Sequence, residues 1–186
     1  MKITLEKVLV LLIIVLTSVS IAFVLTTKKQ KEGENLNYKV LFNATNASLT
    51  DIIQDKAIQI TTERPLNRTT SSYYNSSFSW ERKFVKFGNL TVLDVEVYYF
   101  DNSSERSRVM SRFVKENTNR FFVNIENSMI DGWSATLFDF RSIIDGSING
   151  WGAILEKNEK AIYFISHYPI EKNEKEEVLK WIIRRF

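Results

Sequence analysis

Six asparagines of this 186-residue chain, Asn43, Asn46, Asn67, Asn75, Asn89 and Asn102, each stand two residues ahead of a serine or threonine. Asn-X-Ser/Thr is the acceptor pattern for N-linked glycans, in which the side-chain amide nitrogen takes the sugar on a chain that faces the outside of a cell. With 15 asparagines and 30 serines or threonines in the chain, accidental spacing would make about two or three such triplets. All six fall between residues 43 and 102, which marks that segment as outward-facing. The bland alternative is that a Ser/Thr/Asn-rich stretch makes such triplets by chance.

Other reactive side chains form no legible constellation. The single histidine, His167, stands beside Ser166 and Tyr168, and one histidine without any cysteine cannot build the usual zinc site. A Ser-His-Asp arrangement would need a nucleophile elbow or a similar signature, and no Gly-X-Ser-X-Gly occurs. Carboxylate pairs for glycoside hydrolysis cannot be read from spacing along the chain. Glycine-rich phosphate loops and the alternating acids of a calcium loop are both absent from the sequence. The reading therefore assigns no catalytic residue, no metal and no cofactor. One local echo remains: Asp131-Gly132-Trp133-Ser134-Ala135-Thr136-Leu137 and, 18 residues on, Asn149-Gly150-Trp151-Gly152-Ala153-Ile154-Leu155. Trp133 and Trp151 each leave a turn in phase with an alanine and a leucine. They are expected either to cap one end of a core or to form an aromatic platform for a sugar or an apolar partner.

The elements that must position these groups begin with Val8 to Leu25, a stretch with no charge, proline or glycine. As a helix it is roughly 27 Å long, close to the thickness of a bilayer's hydrocarbon core. A cleavable signal peptide ending near Thr17-Ser18-Val19-Ser20 is the alternative, but the apolar run continues through Leu25, past that cut. The expected organisation is a signal anchor over residues 1–27, a polar tether over 28–37 and an outer domain over 38–186. Lysines at 28, 29 and 31 outnumber those at 2 and 7, which taken alone would keep the C-terminal part cytoplasmic. The six acceptor triplets argue the opposite and are given precedence.

Composition narrows the remaining classes. At 44% hydrophobic, 25% charged and 13% aromatic, the outer part is expected to fold around a β-rich core. A net charge of +3 from 25 basic and 22 acidic side chains makes no basic stripe, so nucleic acid is not an expected partner. Absence of cysteine excludes disulfides and thiolate chemistry, and points away from eukaryotic secreted domains towards a prokaryotic, archaeal surface protein.

Within the outer domain, Tyr38 to Phe42 reads as a first strand, Leu49 to Lys56 as a short helix capped by Ser48 or Thr50, and Ala57 to Thr62 as a second strand. Residues 63–77, with Pro65 and two acceptor triplets, read as a loop. Phe78 to Phe87 and Leu90 to Phe100 alternate across Gly88-Asn89 and predict a hairpin with one buried face. A helix from Asn102 or Ser103 to about Lys115 follows, with Val109, Met110, Phe113 and Val114 inward and Arg106, Arg108 and Arg112 towards water. Strands are expected at 121–126, 133–141, 151–157 and 161–167, and a last helix through Arg185 is expected to start from a capping box of Asn173 and Glu176. The predicted fold is α+β: an N-terminal transmembrane helix, then an extracytoplasmic domain whose twisted antiparallel sheet carries two main helices on one face.

The expectation that follows is a single-pass cell-surface glycoprotein held in the lipid bilayer by Val8 to Leu25. Its N-terminus would be cytoplasmic and its C-terminal domain outside, carrying N-linked glycans and serving a protein partner as an interaction or assembly module. A tethered extracytoplasmic hydrolase or ligand-binding domain is the alternative.

Overall fold

The alternating runs around Gly88-Asn89 do form a hairpin in the computed structural model, which describes residues 48–142, 146–166, 168, 170 and 174–186. The stretch 8–25, the tether, the strand expected at 38–42, Asn43, Asn46, His167 and Asn173 lie outside the described residues. In chain order the elements are α1 (Leu49–Gln54), β1 (Ile58–Ser71), β2 (Ser76–Phe87), β3 (Leu90–Phe100), α2 (Ser103–Asn117), β4 (Phe122–Ile130), β5 (Trp133–Arg141), β6 (Ile148–Lys157), β7 (Lys160–Ser166) and α3 (Lys175–Arg185). The seven strands make one antiparallel sheet in the order β1-β2-β3-β7-β6-β5-β4. Two meanders, β1 to β3 and β4 to β7, are thus joined along β3 and β7, with α2 as the crossover between them. The α+β class is what the sequence predicts.

Side chains alternate between the two faces of the sheet, and both faces are covered. On one face Leu93, Val95 and Val97 of β3 lie beside Ile162 and Phe164 of β7 and Ala153 and Leu155 of β6, all fully buried. Val178, Leu179 and Ile182 of α3 are equally buried, and α3 reaches this face through Lys175 over the Trp151 ring and Phe186 beneath the Lys83 ammonium. Helix α1, N-capped by a reciprocal pair of bonds between Ser48 and Asp51, packs its Leu49, Ile52 and Ile53 beside α3 and β1. On the opposite face Phe78, Phe100, Phe122, Phe138 and Ile154 form a second core with Val109 and Met110 of α2. The two helices therefore lie on opposite faces, not on one. Asp94, Glu96 and Tyr98 alternate with Leu93, Val95 and Val97 and read as a solvent face, yet they lie partly under α2. They tolerate that cover because they bind one another and Arg82.

Several boundaries differ from expectation for identifiable reasons. Residues 63–71 are not a loop but the second half of β1, an edge strand that stays mostly exposed on both sides and so carries no apolar alternation. Pro65 fits there because the register breaks between Thr62 and Arg64 and again between Arg64 and Asn67, the irregular edge position where proline is tolerated. Asn149-Gly150 is not a turn: it belongs to β6, ahead of which Ser142 N–H donates to the Ser147 carbonyl and Gly146 takes φ +71°. Helix α3 starts at Lys175 with Glu174 in the N-cap position, in place of the expected box from Asn173. The arginines of α2 are not idle in water. Arg108 and Arg112 donate to the carbonyls of Tyr74, Asn75 and Tyr73 in the β1–β2 turn, while Arg106 pairs with the half-buried Glu156 at 3.1 Å and donates to the Asn158 carbonyl.

At Gly152 of β6 a methyl group would stand 2.3 Å from the Phe164 carbonyl oxygen and 2.9 Å from the Phe138 ring. Only glycine lets Phe138 lie over β6 and stack on Phe122 with centroids 3.9 Å apart. Gly152→Ala is expected to lower stability by about 1 to 3 kcal/mol through overpacking, read as a fall in the urea midpoint at unchanged slope.

Candidate functional site

The crossing of α2 over the β1–β2–β3 meander leaves one recess. Phe78 and Trp80 of β2 and Tyr98 of β3 form its floor, Val109, Met110 and Phe113 of α2 its roof, and Thr69, Ser71 and Tyr74 its outer rim, around a cavity of about 280 Å³. That volume is near the lower end for a small-molecule site. The floor exists because of one irregularity. Between Val85 and Lys86 the β2–β3 register shifts by a residue, so that Phe78 faces Phe100 and Trp80 faces Tyr98. Without the shift, a hairpin turning at Gly88-Asn89 would set Trp80 against Val97. As it stands, Trp80 and Tyr98 stack at 6.0 Å with planes 13° apart, Phe78 meets Tyr98 at 64°, and the Arg64 guanidinium lies 4.1 Å from the Trp80 ring centre.

No charged side chain lines the cleft, whose polar groups are the hydroxyls of Thr69, Ser71, Tyr74 and Tyr98. Behind the floor, the Tyr98 hydroxyl donates to Glu96, and Arg82 grips Asp94 with Nε at 2.9 Å from Oδ1 while its Nε stands 3.8 Å from Glu96. Burial pushes the Glu96 carboxyl above the usual range, outweighing the Tyr98 hydrogen bond and Arg82, which pull it down. Burial, reinforced by the neighbouring carboxylates, likewise raises the Tyr98 and Tyr163 phenols. Such an arrangement can hold an uncharged, flat or branched apolar group. Among the described residues no three acidic or histidine side chains are grouped to hold a metal ion.

The residues singled out from sequence are dispersed around this cleft. Asn67 is exposed on β1, Asn75 is exposed in the β1–β2 turn with φ +47°, and Asn89 is exposed in the β2–β3 turn. Asn102 is the exposed N-cap of α2: its side-chain oxygen accepts from Glu105 N–H at 2.8 Å, leaving the amide nitrogen that a glycan would use outside that bond. All four described acceptors thus sit on or next to the first meander. Trp133 and Trp151 are on neighbouring strands, but β5 and β6 are antiparallel, and Trp151 stands opposite Asp139, six residues from Trp133. That separation is about 20 Å along the strand. The two indoles lie at opposite ends of the face beneath α3, at 9% and 3% exposure, packed as core; a shared platform would need both open and adjacent. The indole N–H of Trp151 is buried without a hydrogen-bond partner.

The cleft residues themselves do not stand out in the sequence. Phe78 and Trp80 in one strand, Tyr98 and Phe100 in the other, are spaced two apart, and that signal becomes a site only once the register shift aligns them. Comparison with known protein families, curated proteins and solved structures finds no match for this chain.

Trp133→Ala and Trp151→Ala are each expected to cost about 3 to 5 kcal/mol, while Trp151→Phe costs less because it also removes an unpaired buried N–H; urea titrations measure both. Glu96 generates a prediction in pH. Its folded-state carboxyl titrates above its unfolded value, so the stability it contributes is greatest below the unfolded value and declines as pH rises through the folded one. Glu96→Gln keeps an acceptor for Tyr98 and removes that decline. Its melting temperature relative to the parent should rise as pH increases above about 4, where an ordinary glutamate begins to lose its proton.

Proposed function

We propose that this chain is a single-pass, N-terminally anchored cell-surface glycoprotein whose outer domain is an interaction or assembly module, an accessory subunit of a membrane or envelope complex. The observation that carries the reading is the placement of the acceptor asparagines. Asn67, Asn75, Asn89 and Asn102 are all exposed, on an edge strand, two turns and a helix cap, where attached sugar would remain in solvent. Support for the anchor comes from the uninterrupted apolar stretch 8–25, which is long enough to cross a bilayer. Lipid, N-linked glycans and a protein partner are accordingly the contacts proposed for it.

A second reading, a tethered ligand-binding domain, is favoured by the aromatic cleft beneath α2, which offers an apolar group a shaped and uncharged seat. The two readings are compatible, since a partner's apolar side chain could occupy the same recess.

Enzymatic removal of N-glycans from the native protein is expected to lower its apparent mass, and protease added to intact cells is expected to digest the outer domain. An unchanged mass together with full protection would place the domain on the cytoplasmic side and end the proposal.

A further inference from the structure

Among the described residues, the two edge strands of the sheet, β1 and β4, are built differently. Edge β1 carries Pro65, two register breaks, the cations Arg64 and Arg68, and the acceptor Asn67. These are the features that prevent a strand edge from pairing with another chain. Edge β4 has one break, near Asn124 with its φ of +52°, and then runs in unbroken register against β5 from Glu126 to Ile130. Those five residues include a single charge, Glu126, and an apolar side chain, Met129, that is 67% exposed.

The acceptor triplets have the same asymmetry. Every one lies at or before Asn102, whereas Asn117, Asn119, Asn124, Asn127, Asn149, Asn158 and Asn173 all lack the serine or threonine two residues on. Sugar on the four described acceptors, Asn67, Asn75, Asn89 and Asn102, would therefore stand on the first meander and away from β4.

We propose that β4 is an interface between two copies of this chain, which pair antiparallel along Glu126–Ile130 and extend the sheet across a two-fold axis. Centred on Ser128, such pairing sets Asn127 opposite Met129 and Glu126 opposite Ile130 of the second copy, and opposes no like charges. A two-fold axis between antiparallel strands is normal to the sheet, so each face of one copy continues into the same face of the other. Both α1 helices then lie on one side of the extended sheet, beside α3. Five residues of edge form a small contact, and confinement to a membrane supplies the effective concentration that makes a small contact sufficient. The membrane part of the argument rests on the anchored reading, whereas the pairing itself does not.

The chain contains no cysteine, so Ser128→Cys introduces its only thiol. Antiparallel partners at the centre of the pairing lie within disulfide range. The full-length variant, oxidised in its native membranes and run without reductant, should form a linked species of twice the chain mass. Its yield should exceed that of Thr62→Cys on the other edge by about ten-fold or more, as expected of a held contact against random collision. Equal yields from the two edges, absence of linkage at 127, 128 and 129, or a linked product of another mass would each overturn the proposal. Should a cysteine variant fail to fold, chemical cross-linking of the unmodified chain in its native membranes decides: a single polypeptide overturns it, and a species of twice the chain mass supports it. Because this assay reads linkage and not sugar, its failure is distinguishable from failure of the glycan test.

Discussion

The pairing of β3 with β7, from Leu93 opposite Ser166 to Tyr99 opposite Lys160, is the constraint on which the remaining architecture depends. It is the only hydrogen-bonded seam between the two meanders among the described residues, and neither meander alone has two covered faces. Because β3 and β7 are central, their side chains are buried in both directions: Leu93, Val95, Val97, Ile162 and Phe164 under α3 and α1, and Ala161 with half-buried Tyr98 and Tyr163 towards α2. At roughly 1.5 to 3 kcal/mol for each large apolar side chain fully buried, this seam is where the hydrophobic contribution is most concentrated. Everything else is placed relative to it. Helix α2 must leave the end of β3 and reach β4 at the far edge, so it crosses the sheet diagonally, and a diagonal helix cannot cover a whole face.

That incomplete cover accounts for the polar chemistry on the α2 side. Where the helix lies close, its arginines are used up: Arg108 and Arg112 on the backbone of the β1–β2 turn, Arg106 on Glu156 and Asn158. On the sheet beneath it, Arg82, Asp94, Glu96 and Tyr98 satisfy one another, which reduces the penalty for partial burial without eliminating it, as the raised Glu96 carboxyl records. The aromatic cleft lies between these two regimes. Its roof is the apolar side of the helix, and Tyr98 in its floor is the residue it shares with the polar cluster.

Most of the fold was legible in the sequence because its signals are local. The Gly88-Asn89 turn, the Asn102 cap, the α2 stripe of Val109, Met110 and Phe113, and the strand at Trp133–Arg141 each announce themselves within a few residues. What was not legible depends on contacts between distant segments. The second half of β1 has no apolar alternation because pairing to β2, not burial, holds it in place. Covering of the second face could not be inferred from Asp94, Glu96 and Tyr98, which look solvent-facing until Arg82 is placed beside them. The cleft needed the register shift at Val85, a single residue of slip that no propensity encodes and that decides whether Trp80 meets Tyr98 or Val97. The separation of Trp133 from Trp151 followed from strand direction, which their shared sequence context conceals.

The seam between β3 and β7 also sets a clock. Its partners are roughly 60 to 70 residues apart in the chain, and a ribosome adding 5 to 20 residues per second leaves β3 waiting about 3 to 15 s for β7 to emerge. During that interval the first meander exists alone, with β3 as an open apolar edge and α2 without the second half of its core. Asn67, Asn75, Asn89 and Asn102 all belong to this early portion, so every described acceptor is synthesised and exposed before the sheet can close. Sugar added in those seconds would meet nascent chain, and would hydrate the half of the molecule that is most vulnerable to aggregation while its closing strand is still being made.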